Sequence, residues 1–354
     1  MEGHYFKVIE MQRVKFFKES KTPDELIEQL VKRGMVITNR DYAKDILFKI
    51  NYYRLSGYWF KFQNKWLKQL PVPENATSEE IDELNNQFIR RVSFENIVDI
   101  YRFDSKLRSL CIDALEKIEI GISSVLCNHM CQKYGGYWFL NKQLVQKVTK
   151  KTKEGEKVLF NHDLLMEDID KLLAKNKRTK CIKNFRVKYT DEYPPYWILA
   201  QLVTFGTLSK IYSSLPPVDK KEIAKMLGVN DELLSHSLTL LSYIRNICAH
   251  YARLWDNDNS VVPLNINFNR IEPNSIFNYR FHTNGKNSAT FFPVFYLITL
   301  YLYMLYPKSK WCSIVEQKIK EYEKLTDSLV SFKTMGFLDT WRELPLFIRM
   351  LKNA

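Results

Sequence analysis

Residues 94–131 read FENIVDIYRFDSKLRSLCIDALEKIEIGISSVLCNHMC, and this stretch decides the fold. Its apolar residues recur three and four positions apart, as on the face of a helix that packs against a core. The apolar stripe contains Ile97, Ile100, Tyr101, Leu107, Leu110, Cys111, Ala114, Leu115, Ile118 and Ile122. The other side is expected to be polar and carries Asp99, Arg102, Asp104, Lys106, Arg108, Asp113, Glu116 and Lys117. The pattern predicts one long amphipathic helix.

Further helices are predicted on both sides of this one. Thr22 is a candidate N-cap and Pro23 suits the first helical position, whereas Gly57 and Gly206 are expected to end helices. The predicted helical segments are 22–33, 41–55, 79–92, 196–208, 220–227, 232–250, 293–306 and 309–329. Residues 146–157 are basic and poor in apolar side chains, so we expect an exposed loop there, and residues 257–285 are expected to contain a short β-hairpin. The predicted fold class is all-α.

The charge balance is strongly basic. The 354 residues carry a formal net charge of +13, and charged residues make up 26% of the chain, an ordinary share that excludes wholesale disorder. A surplus of this size is typical of a protein with a polyanionic partner, most often nucleic acid. A general bias toward lysine is the alternative interpretation.

A basic segment at 171–188 contains lysine and arginine but no acidic residue. One interpretation is a surface that contacts phosphates, and the other is a solvated helix face followed by a basic loop. The candidate RNA-binding residues of this segment are Lys175, Lys177, Arg178, Lys180, Lys183 and Arg186.

The six cysteines form no CxxC pair, so we interpret them as buried thiols in a reducing compartment and predict neither a metal nor a cofactor. The longest uncharged apolar run, residues 291–306, is shorter than the ~20 residues that span a bilayer. We therefore expect a soluble, cytoplasmic protein without a membrane partner.

The residues that can carry chemistry lie in SYIRNICAHYARLWD at 242–256. On a helix, Asn246 and His250 share one face because they stand four residues apart, and Arg245 lies about 100° from Asn246. RNA cleavage requires a base that activates the 2′-hydroxyl, an acid that protonates the 5′-oxygen, and a positive charge for the phosphorane-like transition state. Histidine suits either proton transfer, and arginine pairs with phosphate oxygens bidentately. Arg245 and His250 are thus the candidate catalytic residues, with Asn246 as an orienting group.

The spacing alone carries little weight, because an Arg and a His fall five positions apart by chance in many chains of this composition. The alternative interpretation is a histidine that caps the last carbonyls of a helix beside a surface arginine. A second alternative is that Glu116 and Glu119 hold Arg245 in a buried ion pair.

Four blocks of the chain resemble the Abi-like family of bacterial abortive-infection proteins, the AbiD/AbiF group. RNICAHYARLWD at 245–256 resembles the family's RNxCAHHxRLW-type string, and three earlier blocks match in the right order. They are ILFKINYYRLSGYWFKF at 46–62, YRFDSKLRSLCIDALEKIEIGI at 101–122 and PPYWILAQLVTFGTLSKIYSSL at 194–215.

The resemblance implies a HEPN-like helical bundle with extra N- and C-terminal helices, an Arg-x4-6-His site and metal-independent endoribonuclease activity. It also implies a homodimer in which two motifs meet, and a structured non-coding RNA as a further partner. The chain would divide into an N-terminal helical region (1–92), a HEPN-like core (93–256) and a C-terminal extension (257–354). Tyr251 and Arg253 would contact RNA. The chain departs from the family at Tyr251, where relatives carry a second histidine, and Tyr251 cannot transfer a proton at neutral pH.

Three hypotheses follow. The first is a phage-defence endoribonuclease. The second is a non-catalytic scaffold that binds a structured RNA through the basic segment 171–188 and aromatic side chains such as Tyr58, Trp59 and Trp255. The third is an interaction protein whose target is another protein.

Overall fold

The computed structural model describes residues 19–73, 75–152, 155–256 and 291–352. The described residues are mostly helical, with one two-stranded antiparallel sheet among them, which confirms the all-α fold class. The chain forms two compact units, Met1–Val98 and Asp99–Ala354. The predicted three-part division into 1–92, 93–256 and 257–354 stays a prediction.

The first unit consists of short helices. Its helices are α1 (Pro23–Lys32), α2 (Arg40–Lys49), α3 (Tyr52–Trp59), α4 (Asn64–Leu67) and α5 (Ser78–Asn85), with a 3-10 turn at Phe60–Phe62. Thr22 caps α1 as predicted, because its side chain accepts the backbone N–H of Glu25. The predicted helix at 41–55 is instead two helices, since the Asn51 side chain accepts the Tyr53 N–H at 2.8 Å and starts α3 anew. Gly57 consequently lies inside α3 and does not end a helix.

The long helix is confirmed as α6 (Phe94–Tyr134), and the boundary between the two units falls within it. Most of the predicted apolar stripe is buried, including Leu107, Leu115 and Ile118. The prediction for the opposite side is wrong at Asp104 and Arg108, which are 0% and 5% exposed. Both lie in line with the stripe, since Asp104 follows Ile100 by four residues and precedes Leu107 by three.

A β-hairpin replaces the exposed loop predicted at 146–157. It pairs β1 (Val148–Thr152) with β2 (Gly155–Phe160), and most of its residues are exposed, as predicted. Short 3-10 turns at Trp138–Leu140 and Lys142–Leu144 precede it. The hairpin predicted within 257–285 lies outside the described residues.

Six helices follow the hairpin and lead to the candidate site. They are α7 (His162–Lys175), α8 (Lys180–Lys188), α9 (Tyr196–Leu199), α10 (Phe205–Ser214), α11 (Pro217–Met226) and α12 (Asp231–Ala249). The predicted helix at 196–208 is two helices, because the Thr204 side chain accepts the Thr207 N–H at 3.3 Å and starts α10. Gly206 therefore lies in the first turn of α10.

Three helices form the last part of the described chain. They are α13 (Phe291–Leu305), α14 (Trp311–Leu325) and α15 (Pro345–Lys352), with a 3-10 turn at Trp341–Glu343. α12 packs against α10, α11 and α13. α13 is buried over nearly its whole length, which fits its apolar sequence. None of the described helices combines the length and the hydropathy that crossing a membrane requires.

The cysteines follow the prediction of buried free thiols at four positions: Cys111, Cys127, Cys248 and Cys312. The prediction is wrong for Cys131 and Cys181, which are partly exposed. Both lie near a helix end, where the surrounding turn leaves one side of the thiol uncovered.

Candidate functional site

The three candidate catalytic side chains lie in the last turns of α12. Arg245 is half-buried, whereas Asn246 and His250 are exposed. Neighbouring residues of the same turns, among them Ile244, Ile247 and Cys248, are buried in the core. The apolar side of α12 thus fixes the helix, and its polar edge faces outward with the motif.

A tight backbone turn ends α12 directly at the motif. The Ala252 N–H donates to the Ile247 carbonyl at 2.9 Å, and the Tyr251 N–H donates to the Cys248 carbonyl at 3.3 Å. Tyr251 adopts φ +58, the left-handed conformation that this type of helix end requires. The turn holds the backbone of His250 in place, since its N–H also bonds to the Asn246 carbonyl at 2.9 Å.

A buried ion pair on α6 holds the segment that follows this turn. The Asp104 carboxylate accepts the N–H of Leu254 at 3.0 Å and the N–H of Trp255 at 2.8 Å. Asp104 is also paired with Arg108, whose guanidinium donates to the Ala252 carbonyl at 3.2 Å. We call Asp104, Arg108 and the backbone of 252–255 the clamp. It ties the chain directly after the His250 turn to the long helix.

The motif side chains themselves are not bound to other groups in the part of the chain that the structure describes. There, the His250 imidazole and the Asn246 amide form no hydrogen bond, and Arg245 has no ion pair within 4.0 Å. This arrangement differs from the alternative of a histidine whose ring caps the helix carbonyls, because backbone N–H groups make those contacts. The three side chains are therefore available to a ligand.

Glu119 on α6 is an acidic residue that interacts electrostatically with Arg245. Burial raises the pKa of the Glu119 carboxyl, while the charge of Arg245 and a hydrogen bond from the Phe205 backbone N–H lower it. Within the described ranges, neither Glu119 nor the exposed Glu116 forms an ion pair with Arg245 within 4.0 Å. The alternative of a buried Arg245–glutamate ion pair is thus not what the structure contains.

The aromatic contacts predicted for an RNA scaffold are wrong at Tyr58, Trp59 and Trp255, which are buried and cannot stack on bases. The other predicted RNA-binding residues fall into two groups. Tyr251 and Arg253 flank the turn after α12, with Tyr251 exposed and Arg253 half-buried. The others are exposed and lie at the end of α7, in the following turn and on α8: Lys175, Lys177, Arg178, Lys180, Lys183 and Arg186. We call this second group the α7–α8 basic surface.

A family model described as Abi-like protein matches residues 45–256, more than half of the chain. The chain belongs to the Abi-like family. No curated protein and no solved structure matches it. In this Abi-like protein the matched region includes α6, α12 and the clamp, and family membership points to abortive infection, a defence against phage.

The clamp is the part of the Abi-like site that the sequence analysis missed. Asp104 and Arg108 were assigned to the solvent side of α6 because they are charged. Their helical spacing from Ile100 and Leu107 is the sequence signal that indicates their burial. A charged residue in line with a buried apolar stripe needs a buried partner.

One further cluster in the Abi-like chain has the residue types of a metal site. The side-chain ligand atoms of His129, Asp219 and Glu222 lie within 4.8 Å of one another. The Lys133 ammonium lies 2.9 Å from a carboxylate oxygen of Asp219 and 2.9 Å from one of Glu222, where a metal ion would otherwise balance the charge. Tyr134 donates to Asp219 at 3.0 Å as well. The network fastens α11 to α6, and Lys133 supplies its positive charge.

Proposed function

We propose that this Abi-like protein acts in phage defence as an RNA-binding endoribonuclease whose site is formed by Arg245, Asn246 and His250. One observation carries the proposal: a guanidinium, an amide and an imidazole lie on one helix end that is fixed to the core, and none of them is bound to another described group. A site needs this combination of rigid support and available side chains.

The chemistry requires no metal ion. A 2′-hydroxyl attacks the adjacent phosphorus, and His250 accepts the hydroxyl proton or donates a proton to the leaving 5′-oxygen. The Arg245 guanidinium pairs with the phosphate oxygens, whose negative charge grows in the transition state. Asn246 orients the imidazole or a phosphate oxygen. The products carry a 2′,3′-cyclic phosphate and a 5′-hydroxyl.

A homodimer would complete the reaction. The sequence contains a single Arg-x4-His, whereas the reaction uses a base and an acid in the same step. Two copies of the chain, joined so that their α12 ends face each other, would bring two imidazoles and two guanidiniums to one phosphate.

The test is cleavage of single-stranded RNA in EDTA by the full-length protein. His250→Ala is expected to abolish cleavage with its unfolding temperature unchanged, because the exposed imidazole contributes no contact to the described fold. His236→Ala on the same helix is the matched control and is expected to cleave normally. Equal cleavage by wild type and His250→Ala would end the enzyme proposal.

A non-catalytic role as the scaffold of a structured non-coding RNA is the second candidate. The α7–α8 basic surface supports it, since six exposed cations lie there outside the motif. One discrete RNA species that copurifies with the protein, together with absent cleavage, would favour this scaffold. A cognate RNA that restrains the nuclease would unite the two roles.

A further inference from the structure

A cleft lies beside the α7–α8 basic surface, between the end of α7 and the segment after α8. It encloses about 390 Å³ and is lined by Asp170, Leu173, Lys177, Arg186, Glu192 and Tyr193, together with Ala174. Binding sites for small ligands begin at about 300 Å³, so the cleft has room for a single nucleotide.

The lining charges have both signs and do not satisfy one another. Lys177 and Arg186 face the same cleft as Asp170 and Glu192, yet none of these four forms an ion pair within 4.0 Å with any described residue. Asp170 accepts a hydrogen bond from the Tyr193 hydroxyl at 3.1 Å. Glu192 has no such partner among the described residues and keeps both oxygens available.

Apolar and aromatic side chains also line the cleft. Leu173 is buried, and Tyr193 is partly buried by its packing. A ligand that uses all of this lining has an anionic group for the two cations, a flat or apolar part, and hydrogen-bond donors for the carboxylates. Nucleotides combine these groups, namely a phosphate, a ring and the donors of the base edge.

The Glu192 carboxylate distinguishes the four RNA bases by the hydrogen-bond donors on their edges. A carboxylate accepts hydrogen bonds through two oxygens and donates none when ionised. Guanine presents two adjacent donors on its Watson–Crick edge, N1–H and the N2 amino group, which match the two oxygens of Glu192. Adenine and cytosine each place an acceptor beside their amino group, and uracil places carbonyl oxygens on both sides of N3–H.

We propose that this cleft binds an unpaired guanine nucleotide of the RNA, with its phosphate on Lys177 and Arg186 and its base edge on Glu192. The proposal rests on the RNA-binding function above and adds a base preference to it. Bases in single strands are read in this way, through their exposed edges.

The test measures binding of short fluorescent single-stranded RNAs by anisotropy, with the full-length His250→Ala protein to prevent cleavage. An oligonucleotide with one guanine is expected to bind about tenfold more tightly than the same oligonucleotide with inosine, which lacks the N2 amino group. Glu192→Gln should remove that difference. Arg186→Ala should weaken both oligonucleotides alike and reduce the salt dependence, whereas Lys225→Ala on α11 should change neither.

Equal binding of guanine and inosine, or an unchanged preference in Glu192→Gln, would overturn the guanine cleft. Those results would leave cleavage by the wild-type protein untouched, so they are distinguishable from a failure of the nuclease proposal. Absence of binding to every RNA would count against both.

Discussion

At the residue scale, the tasks proposed for Arg245 and His250 differ, and so do the surroundings of the two side chains. Arg245 is half-buried, and its charge lowers the pKa of the Glu119 carboxyl, which burial raises. His250 stands at the exposed end of the helix. A phosphate that approaches the helix end therefore meets a positioned guanidinium and an accessible imidazole.

Replacement of Arg245 by lysine tests whether the shape of the guanidinium matters. Lysine keeps the positive charge but loses the planar fork that holds two phosphate oxygens, so we expect RNA cleavage to fall by at least about tenfold. Single-turnover cleavage rates measure this, with Arg102→Lys, an exposed arginine paired with Asp99 at 3.1 Å, as the control. A wild-type rate in Arg245→Ala would show that the guanidinium takes no part.

The residue scale is also where sequence reasoning succeeded and failed most clearly. The end of α12 and the outward position of Asn246 and His250 follow from spacing alone, because helical periodicity is local. The burial of Asp104 does not follow in the same way, since its backbone partners lie 150 and 151 residues further along the chain. No local pattern states which distant segment will cover a charged side chain.

At the scale of elements, the clamp makes the end of α12 depend on α6. Asp104→Asn removes a charge that is completely buried and leaves Arg108 without its counter-ion. Loss of one partner of a buried pair costs about 3 kcal/mol or more of the free energy of unfolding. We expect that loss in chemical denaturation, together with slower RNA cleavage under conditions where the variant is still folded.

Asp113→Asn is the matched control for the clamp. Asp113 also pairs with a cation four residues on, Lys117 at 2.7 Å, but both side chains are largely exposed. Exposed pairs of this kind contribute little to stability. If both substitutions changed stability equally, the clamp would not be what holds the segment after α12.

The network between α6 and α11 predicts a pH dependence. Burial of the Asp219 carboxyl opposes ionisation, but hydrogen bonds from Lys133, His129 and Tyr134 hold its pKa below the usual value. Because this pKa is lower in the folded state than in the unfolded state, the ionised carboxylate stabilises the fold at pH values above the unfolded-state pKa of about 3.9. This stabilisation disappears as the pH falls through the folded-state pKa. The difference in unfolding free energy between wild type and Asp219→Asn should therefore be largest near neutral pH and shrink below about pH 4. A constant difference down to pH 2 would contradict this.

The hairpin at 148–160 shows why some elements were not predictable. Its strands contain Val148, Thr149 and Val158, which favour extended structure. The lysines between them, however, make the composition of this segment typical of an exposed loop. Lys150 and Lys157 stand directly opposite each other, a pairing that costs energy and that no propensity rule anticipates.

At the scale of the whole molecule, the proposed homodimer gives a mixing experiment. An excess of the His250→Ala protein should lower RNA cleavage per wild-type chain, because a hybrid dimer has only one His250 imidazole at the shared site. An equal excess of His236→Ala should not lower it, and sedimentation should show dimers in both mixtures. Unchanged activity per wild-type chain in excess His250→Ala would mean that one chain suffices.

The boundary between the two compact units lacks the signal that composition can detect. The boundary after Val98 falls within the continuous α6, whereas linkers rich in glycine or proline are what composition can detect. The long apolar stripe predicts the helix correctly, but it contains no sign that one compact unit ends and the next begins within this helix.

The sequence distance across the clamp has a consequence for synthesis on the ribosome. Asp104 emerges about 150 residues before the 252–255 segment that it must hold, so the end of α12 cannot acquire its final geometry until that segment has been translated. A nascent or truncated chain that ends before residue 252 would carry the arginine and the histidine without the contacts that set them. For the proposed nuclease, the cell would in this way be spared RNA cleavage until the 252–255 segment has been made.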